Sequence, residues 1–387
     1  MKIAILTLIG HHNYGNLLQA YALQTMLKRM GHEVTILKRE PNYPSFKLLL
    51  LRVLSTLKCA IRIFGGNKDF IICNPLAYPN EYKVRKSEAI DYSQLKLFSE
   101  QNLSFSPSLR RKHSLKKYVK KHKFDCFIVG SDQVWREAYT PDIYNYFLDF
   151  LSEDDKSLKI SYAASFGTNN EPISADKLPY CVELSKRFNA ISVREQSAID
   201  LVHKYFHLSA VQVLDPTLLL DPIDYYKLIN DRDKDKGKGA LVSYIFDKDQ
   251  EKDNIISTCQ NKLSCNHIDL MNLLVNKKGC KQMYSISEWL ATITNAKFIV
   301  TDSFHGCVFS ILFRKQFVII ANEYRGSERL KSILEIFSLQ NRLFYSLEDF
   351  LARKEDVLCN LIDYSIGEQR FNTLRIVSKN FLNVNIC

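Results

Sequence analysis

The chain has 387 residues, 46% hydrophobic and 25% charged, which suits two domains with buried cores and excludes a disordered or fibrous chain. No apolar run reaches the roughly 18 residues that span a bilayer, and the ten cysteines stand singly without a C-x-x-C, so neither a membrane bundle nor a disulfide or zinc framework is expected. The formal charge of +11 leaves nucleic acid, an anionic membrane and anionic substrates as candidate partners.

The first residues, "MKIAILTLIGHHNYGN", carry no small-residue cleavage site and read as a first strand rather than a signal peptide. A reduced, cytoplasmic protein is the expectation. Residues 2–8 predict a strand, 16–30 a helix stopped by Gly31, and 34–37 a second strand. That β-α-β unit argues for a parallel sheet with crossover helices.

Residues 46–64, "FKLLLLRVLSTLKCAIRIF", break this rhythm. On a helical wheel Leu49, Leu50, Val53, Leu54, Leu57, Ala60, Ile61 and Phe64 share an arc, with Lys47, Arg52, Lys58 and Arg62 largely opposite. A buried amphipathic helix is the plainer reading, and a basic helix lying on a membrane is the other. The run "RRKHSLKKYVKKHK" at 110–123 holds cations and no acid. It reads either as a solvated helix face or as a surface for phosphate head groups.

Further strands are predicted at 124–129, 159–164, 189–193 and 211–214, ending in "GSDQVW", "SFG", "REQSAID" and "DPT". In open α/β sheets ligands sit beyond the carboxyl ends of the strands, so these endings are where chemistry is expected. The charged stretch "NDRDKDKGKG" at 230–239 reads as a linker or exposed loop. A second set of units follows, with strands at 240–246, 267–271, 297–301 and 317–321 and helices at 250–263, 287–294 and 303–313. Two doubly wound domains result, 1–225 with a basic insertion at about 40–123, and 226–346. The remainder, 347–387, reads as helical and is expected to cross back to the first domain.

No P-loop occurs, and Gly10 to Gly15 has the wrong spacing for a dinucleotide fingerprint. "DRDKDKG" places its glycine one position late for a calcium loop, and His11–His12 alone does not make a metal site. RNA- and DNA-binding signatures are absent, so no metal and no nucleic-acid partner are expected.

The sharpest stretch is "KFIVTDSFHG", residues 297–306. Ser303 is placed to cap a helix starting at Phe304, which puts His305 in the first turn. Backbone N–H groups and the helix dipole favour an anion there, and imidazole titrates near pH ~6.5 when unperturbed. A proton donor beside a bound phosphate or carboxylate is one reading. A structural histidine is the other.

Taken together, the chain resembles the polysaccharide pyruvyl transferase family. The resemblance rests on "GHHNYGNLLQAYALQ", "FDCFIVGSDQVW", "SYAASFG", "ISVREQSAIDLV", "VLDPTLLL" and "TDSFHG", in family order from residue 1 to about 325. It implies a GT-B-like fold, α/β with two Rossmann-like domains facing across a cleft, the first on the acceptor side and the second on the donor side. It also implies transfer of the pyruvyl group of phosphoenolpyruvate to a capsule or exopolysaccharide sugar, expected to be lipid-linked, as a cyclic ketal with loss of phosphate. Phosphoenolpyruvate is then a substrate, and no cofactor is called for. The family's helix-start histidine maps onto His305 and its arginine before an acidic residue onto Arg194. Some members carry a second arginine two residues before the histidine, where this chain has Ser303, so one anion contact is missing or comes from elsewhere.

On this reading His305 is the acid, with Asp132 a second catalytic candidate that equally suits a capping role. Arg194, Ser303, Phe304 and Gly306 face the donor. Asn13 and Asn16 bind acceptor hydroxyls or hold the first turn, and Asp215, before Pro216, reads as structural. The lipid-linked acceptor and the basic segments together suggest a peripheral place on the inner face of the cell membrane. Two other functions fit the same architecture: a nucleotide-sugar glycosyltransferase, and a non-catalytic peripheral component of polysaccharide assembly.

Overall fold

The computed structural model describes all residues except 10–12, 43, 78–81, 169, 278, 323–325 and 387. In chain order its strands are β1 (Lys2–Leu6), β2 (Glu33–Ile36), β3 (Ile90–Asp91), β4 (Cys126–Val129), β5 (Leu158–Ala164), β6 (Ala190–Val193) and β7 (Val211–Gln212). There follow β8 (Leu241–Tyr244), β9 (His267–Asp269), β10 (Leu274–Val275), β11 (Lys281–Gln282), β12 (Phe298–Thr301), β13 (Phe317–Ile320) and β14 (Leu343–Phe344).

Two parallel sheets carry the fold. The first runs β2-β1-β4-β5-β6-β7 and the second β14-β13-β12-β8-β9. Their central strands are buried throughout, as "CFIV" in β4 and "FIVT" in β12 show. Strands covered on both faces need continuous apolar runs, which is why these segments show no alternation. The chain therefore folds as two Rossmann-like domains.

The halves share a core. Tyr14, at the start of the helix Tyr14–Arg29, stacks on Trp289 of the helix Ile286–Asn295 with ring centroids 5.3 Å apart. The last helix, Glu368–Ile386, lies back on the first sheet. There Ser378 Oγ accepts the Leu214 N–H at 2.9 Å and Phe381 packs near Tyr162. A small third sheet, β10-β11-β3, joins the insertion of the first half to a hairpin of the second. Its two-residue strands are too short to show a period in the sequence.

Residues 230–239 form an exposed loop, one of their two sequence readings, held in place where buried Asp233 accepts from Ser287 Oγ at 2.6 Å and Asn295 donates to the carbonyls of Lys234 and Lys236. The helix Phe46–Phe64 is not buried. Arg52 and Cys59 are its buried residues, Leu49, Thr56 and Ile63 are half-buried beside them, and Leu48, Leu50, Leu51, Leu54 and Leu57 face outward. The buried-helix reading fails because the arc of Leu50, Val53, Leu54, Leu57, Ile61 and Phe64 is turned outward.

In the helix Lys112–His122, Leu115 and Val119 join the core of the first sheet while Lys116, Lys117, Lys120 and Lys121 are exposed. Cys59, Cys126, Cys181, Cys259, Cys280 and Cys307 are buried, and burial pushes the thiols of Cys126, Cys181 and Cys259 up to about 12, as for small apolar side chains. Among the described residues no helix is long and apolar enough to cross a membrane.

Candidate active site

The motif-bearing turns leave the carboxyl ends of the parallel strands and converge where the two sheets meet. Asp132 follows β4, Ser165 follows β5, Arg194 and Glu195 follow β6, and Asp215 lies just beyond β7. His305 comes from the second half, two residues into the helix Phe304–Leu312 that follows β12.

That helix starts where it does for local reasons. Ser303 has extended backbone (φ −93°, ψ 133°), and its Oγ accepts the Gly306 N–H at 3.3 Å. Thr301 Oγ1 accepts the Ser303 N–H at 3.0 Å and donates to the Tyr244 carbonyl, which fixes the turn to β8. Asp302 is fully buried and accepts from the Phe246 N–H at 2.8 Å, from Lys252 Nζ at 3.2 Å and from Asn322 Nδ2 at 3.3 Å. Three strand ends of the second sheet are thus tied to one carboxylate, a role its place in the motif did not disclose.

Asp215 is the hub. Its Oδ1 accepts from the Thr217 N–H at 3.0 Å and from Thr217 Oγ1 at 2.7 Å, capping the short turn Pro216–Leu218. Its Oδ2 accepts from Arg194 Nη1 at 2.8 Å and faces His305 Nε2 at 3.7 Å. Burial alone would raise this carboxyl, but the His305 ring, the Arg194 guanidinium and the Thr217 hydroxyl outweigh it and hold the group well below the usual carboxylate range. Asp215 thus caps the turn Pro216–Leu218, in keeping with a structural reading, and also links Arg194 to the His305 side of the site.

Arg194 is wholly enclosed. Nη2 donates to Asp132 Oδ1 at 3.3 Å, Nε lies 3.8 Å from Glu195 Oε2, and the guanidinium rests 4.3 Å from the centre of the Phe304 ring. Burial works against its charge, and Asp132, Asp215 and Glu195 more than restore it. Glu195 in turn accepts from Ser165 Oγ at 2.7 Å. Asp132 adopts a left-handed backbone, φ 74°, an uncommon state for a non-glycine residue and one found at functional turns.

Arg329, near the start of the helix Glu328–Ile336, brings a second guanidinium to within 5.5 Å of the same Phe304 ring. Burial and then Arg194 push it down to about 10. Sequence reasoning missed it, since it lies in no recognisable motif and comes close only through the fold.

The other expected site residues fall as follows. Asn13 caps the first helix, its Oδ1 accepting the Gly15 N–H at 2.8 Å, and Asn16 Nδ2 makes a long contact, 3.4 Å, to the Leu8 carbonyl. Between them in the chain, Gly15 packs against the His305 ring: a Cβ on Gly15 would fall 2.1 Å from His305 Nδ1. Gly306 packs equally closely on Thr301, its virtual Cβ 2.4 Å from Oγ1. His11 and His12 lie outside the described residues.

A family model described as polysaccharide pyruvyl transferase matches residues 13–324, a span holding nearly every residue of this cluster. The chain belongs to that family. Membership makes it a transferase of polysaccharide biosynthesis that acts on a sugar acceptor, and leaves Arg329 just beyond the matched span. No curated protein matches the chain.

Among solved structures, the Staphylococcus aureus MnaA–UDP complex is similar at 12% identity and a TM-score of 0.51, covering 100% of this chain and 98% of that one. A structure assigned as a UDP-N-acetylglucosamine 2-epimerase from Listeria monocytogenes has 9% identity and a TM-score of 0.51, covering 98% and 94%. At such identity the likeness speaks for the fold alone, and it is the GT-B type that this pyruvyl transferase family member adopts.

Proposed function

We propose that this chain transfers the pyruvyl group of phosphoenolpyruvate to two hydroxyls of a hexose in a capsule or exopolysaccharide precursor, forming a cyclic ketal and releasing phosphate. The observation that carries the reading is His305, set in the first turn of a helix, backed by Asp215 and pressed against the glycine turn of the opposite half.

The chemistry assigns the residues. The donor carries a carboxylate and a phosphate, both suited to guanidinium groups and to a helix N-terminus. Arg194 is committed to Asp132 and Asp215, so its part is to fix the carboxylates and to carry charge beneath Phe304. Arg329 supplies the second cation that some members are expected to draw from the position of Ser303. His305 gives a proton to the methylene carbon of the donor, and Asp215 offers a fixed counter-charge to the protonated ring. The adjacent carbon then becomes electrophilic. A first sugar hydroxyl attacks it, phosphate leaves, and a second hydroxyl closes the ketal as both hydroxyl protons pass to base and solvent. Asp132 remains the second candidate for proton transfer, and Asn13 and Asn16 line the acceptor side.

The reading extends to a lipid-linked acceptor on the cytoplasmic face of the cell membrane. Its test is incubation with phosphoenolpyruvate and candidate lipid-linked sugars, with phosphate release and product mass followed together. A product heavier by one pyruvyl ketal, formed with one phosphate, is the expected result. Release of a nucleotide from a nucleotide sugar, with no phosphate from phosphoenolpyruvate, would replace this reading with glycosyl transfer.

A further inference from the structure

The helix Phe46–Phe64 turns its leucine-rich face outward. It is 19 residues and therefore roughly 28 Å long at about 1.5 Å per residue. Its inward face is mixed: Arg52 and Cys59 are buried, with Leu49, Thr56 and Ile63 half-buried in line with them. Arg52 is buried, its Nη1 donates to the carbonyls of Pro75 at 3.1 Å and Ala77 at 2.7 Å, and its guanidinium stacks 4.7 Å over Tyr82. Thr56 donates to the Arg52 carbonyl and meets the Tyr82 hydroxyl. These contacts satisfy a guanidinium that would otherwise strain a buried site, so the orientation is specified rather than incidental.

The outward face is apolar. Leu50, Leu51, Leu54 and Leu57 are about half exposed, at 50%, 56%, 47% and 56%, while Ile61 and Phe64 reach 71% and 89%. An apolar strip this long is unusual on a free surface and marks a contact site. The helix has no acidic residue, and Lys47, Lys58 and Arg62 are exposed along it. Arg62 also stacks 4.9 Å over Phe70, which shares a cavity with Val275 of the third sheet. There Leu274 and Val275 are 71% and 68% exposed, with Lys277 and Lys281 exposed beside them.

We propose that this surface docks on an anionic lipid bilayer, the helix lying in the interface with its leucines among the acyl chains and its cations at the head groups. The charge decides the occupant. Lysine and arginine stems extend along apolar surface while their heads stay among phosphates, and this pattern defines interfacial helices. A second copy of the chain would bring the same cations against themselves, on a molecule already at +11. The argument uses no feature of the active site, so it stands or falls apart from the pyruvyl-transfer reading.

Flotation of the full chain with vesicles tests it without measuring turnover. The expected result is binding to phosphatidylcholine vesicles holding about one-third phosphatidylglycerol, falling steeply as salt rises from about 0.1 to 0.5 M. The triple variant Leu54→Glu, Leu57→Glu, Ile61→Glu should lower the bound fraction at least about tenfold with an unchanged melting temperature. The variant Lys47→Gln, Lys58→Gln, Arg62→Gln, whose positions are solvent-exposed, should flatten the salt dependence and keeps the test decisive if the first variant folds poorly. No binding to anionic vesicles, binding equal on pure phosphatidylcholine, or binding unaffected by both variants would overturn the proposal. So would a concentration-dependent dimer that the glutamates dissolve in a chain that ignores vesicles.

Discussion

Oδ2 of Asp215 serves Arg194 at 2.8 Å and His305 at 3.7 Å, so a single carboxylate oxygen joins the strand-end arginine of one sheet to the helix-start histidine of the other. Asp215→Asn keeps the shape and removes the charge. Breaking a buried ion pair of this kind is expected to destabilise the fold by about 3 kcal/mol, read by urea unfolding. The pH dependence has a definite sign. A carboxylate whose folded pKa is depressed stabilises the fold above its unfolded value of about 4, and that contribution is lost as pH falls through the folded value. The stability gap between wild type and variant should therefore be full at pH 7 and shrink as pH drops below about 4.

His305→Gln is the direct test of the proton donor. Glutamine is close in size to the imidazole it replaces, so the fold should survive. Turnover should fall by about 10² to 10⁴, the usual worth of a positioned acid. Near-normal turnover in His305→Gln would leave the histidine a structural residue and move the proton to Asp132 or water.

The two arginines should separate. Arg194→Ala strands Asp132 and Asp215 without their shared cation, and a stability loss of roughly 3–5 kcal/mol is expected alongside weaker donor binding. Arg329→Gln should leave the fold less affected, because burial and Arg194 already work against its charge. Its mark should be a donor affinity about 10- to 100-fold weaker, the range of one charge-assisted contact. Titration calorimetry with phosphoenolpyruvate and thermal melts on both variants distinguish the two, and equal effects on both readouts would remove the assignment.

Gly15→Ala probes the seam between the halves. Its Cβ would fall 2.1 Å from Nδ1 and 2.8 Å from Cβ of His305, so the ring must shift. Overpacking of this order is expected to destabilise by about 1–3 kcal/mol. Turnover should fall further than that loss alone explains, because the displaced group is the proposed acid. A variant with full activity would show that His305 tolerates displacement and has no positional role.

Much of this protein was written along its chain. Buried strands such as those around Ile128 and Val300 appear as continuous apolar runs, and each is followed by the turn that carries chemistry, because parallel strands put their carboxyl ends at one edge. Ser303 announced its cap and His305 its place in the first turn, since both depend on neighbours within three residues. What the chain could not disclose alone is long-range. Asp215 meets His305 across 90 positions and Arg194 across 21, while Arg329 reaches Phe304 through the packing of separate helices. The orientation of the helix Phe46–Phe64 was likewise undecided. Its wheel shows an apolar arc, but that the arc turns outward depends on the carbonyls of Pro75 and Ala77 accepting from Arg52, a contact only the tertiary structure supplies.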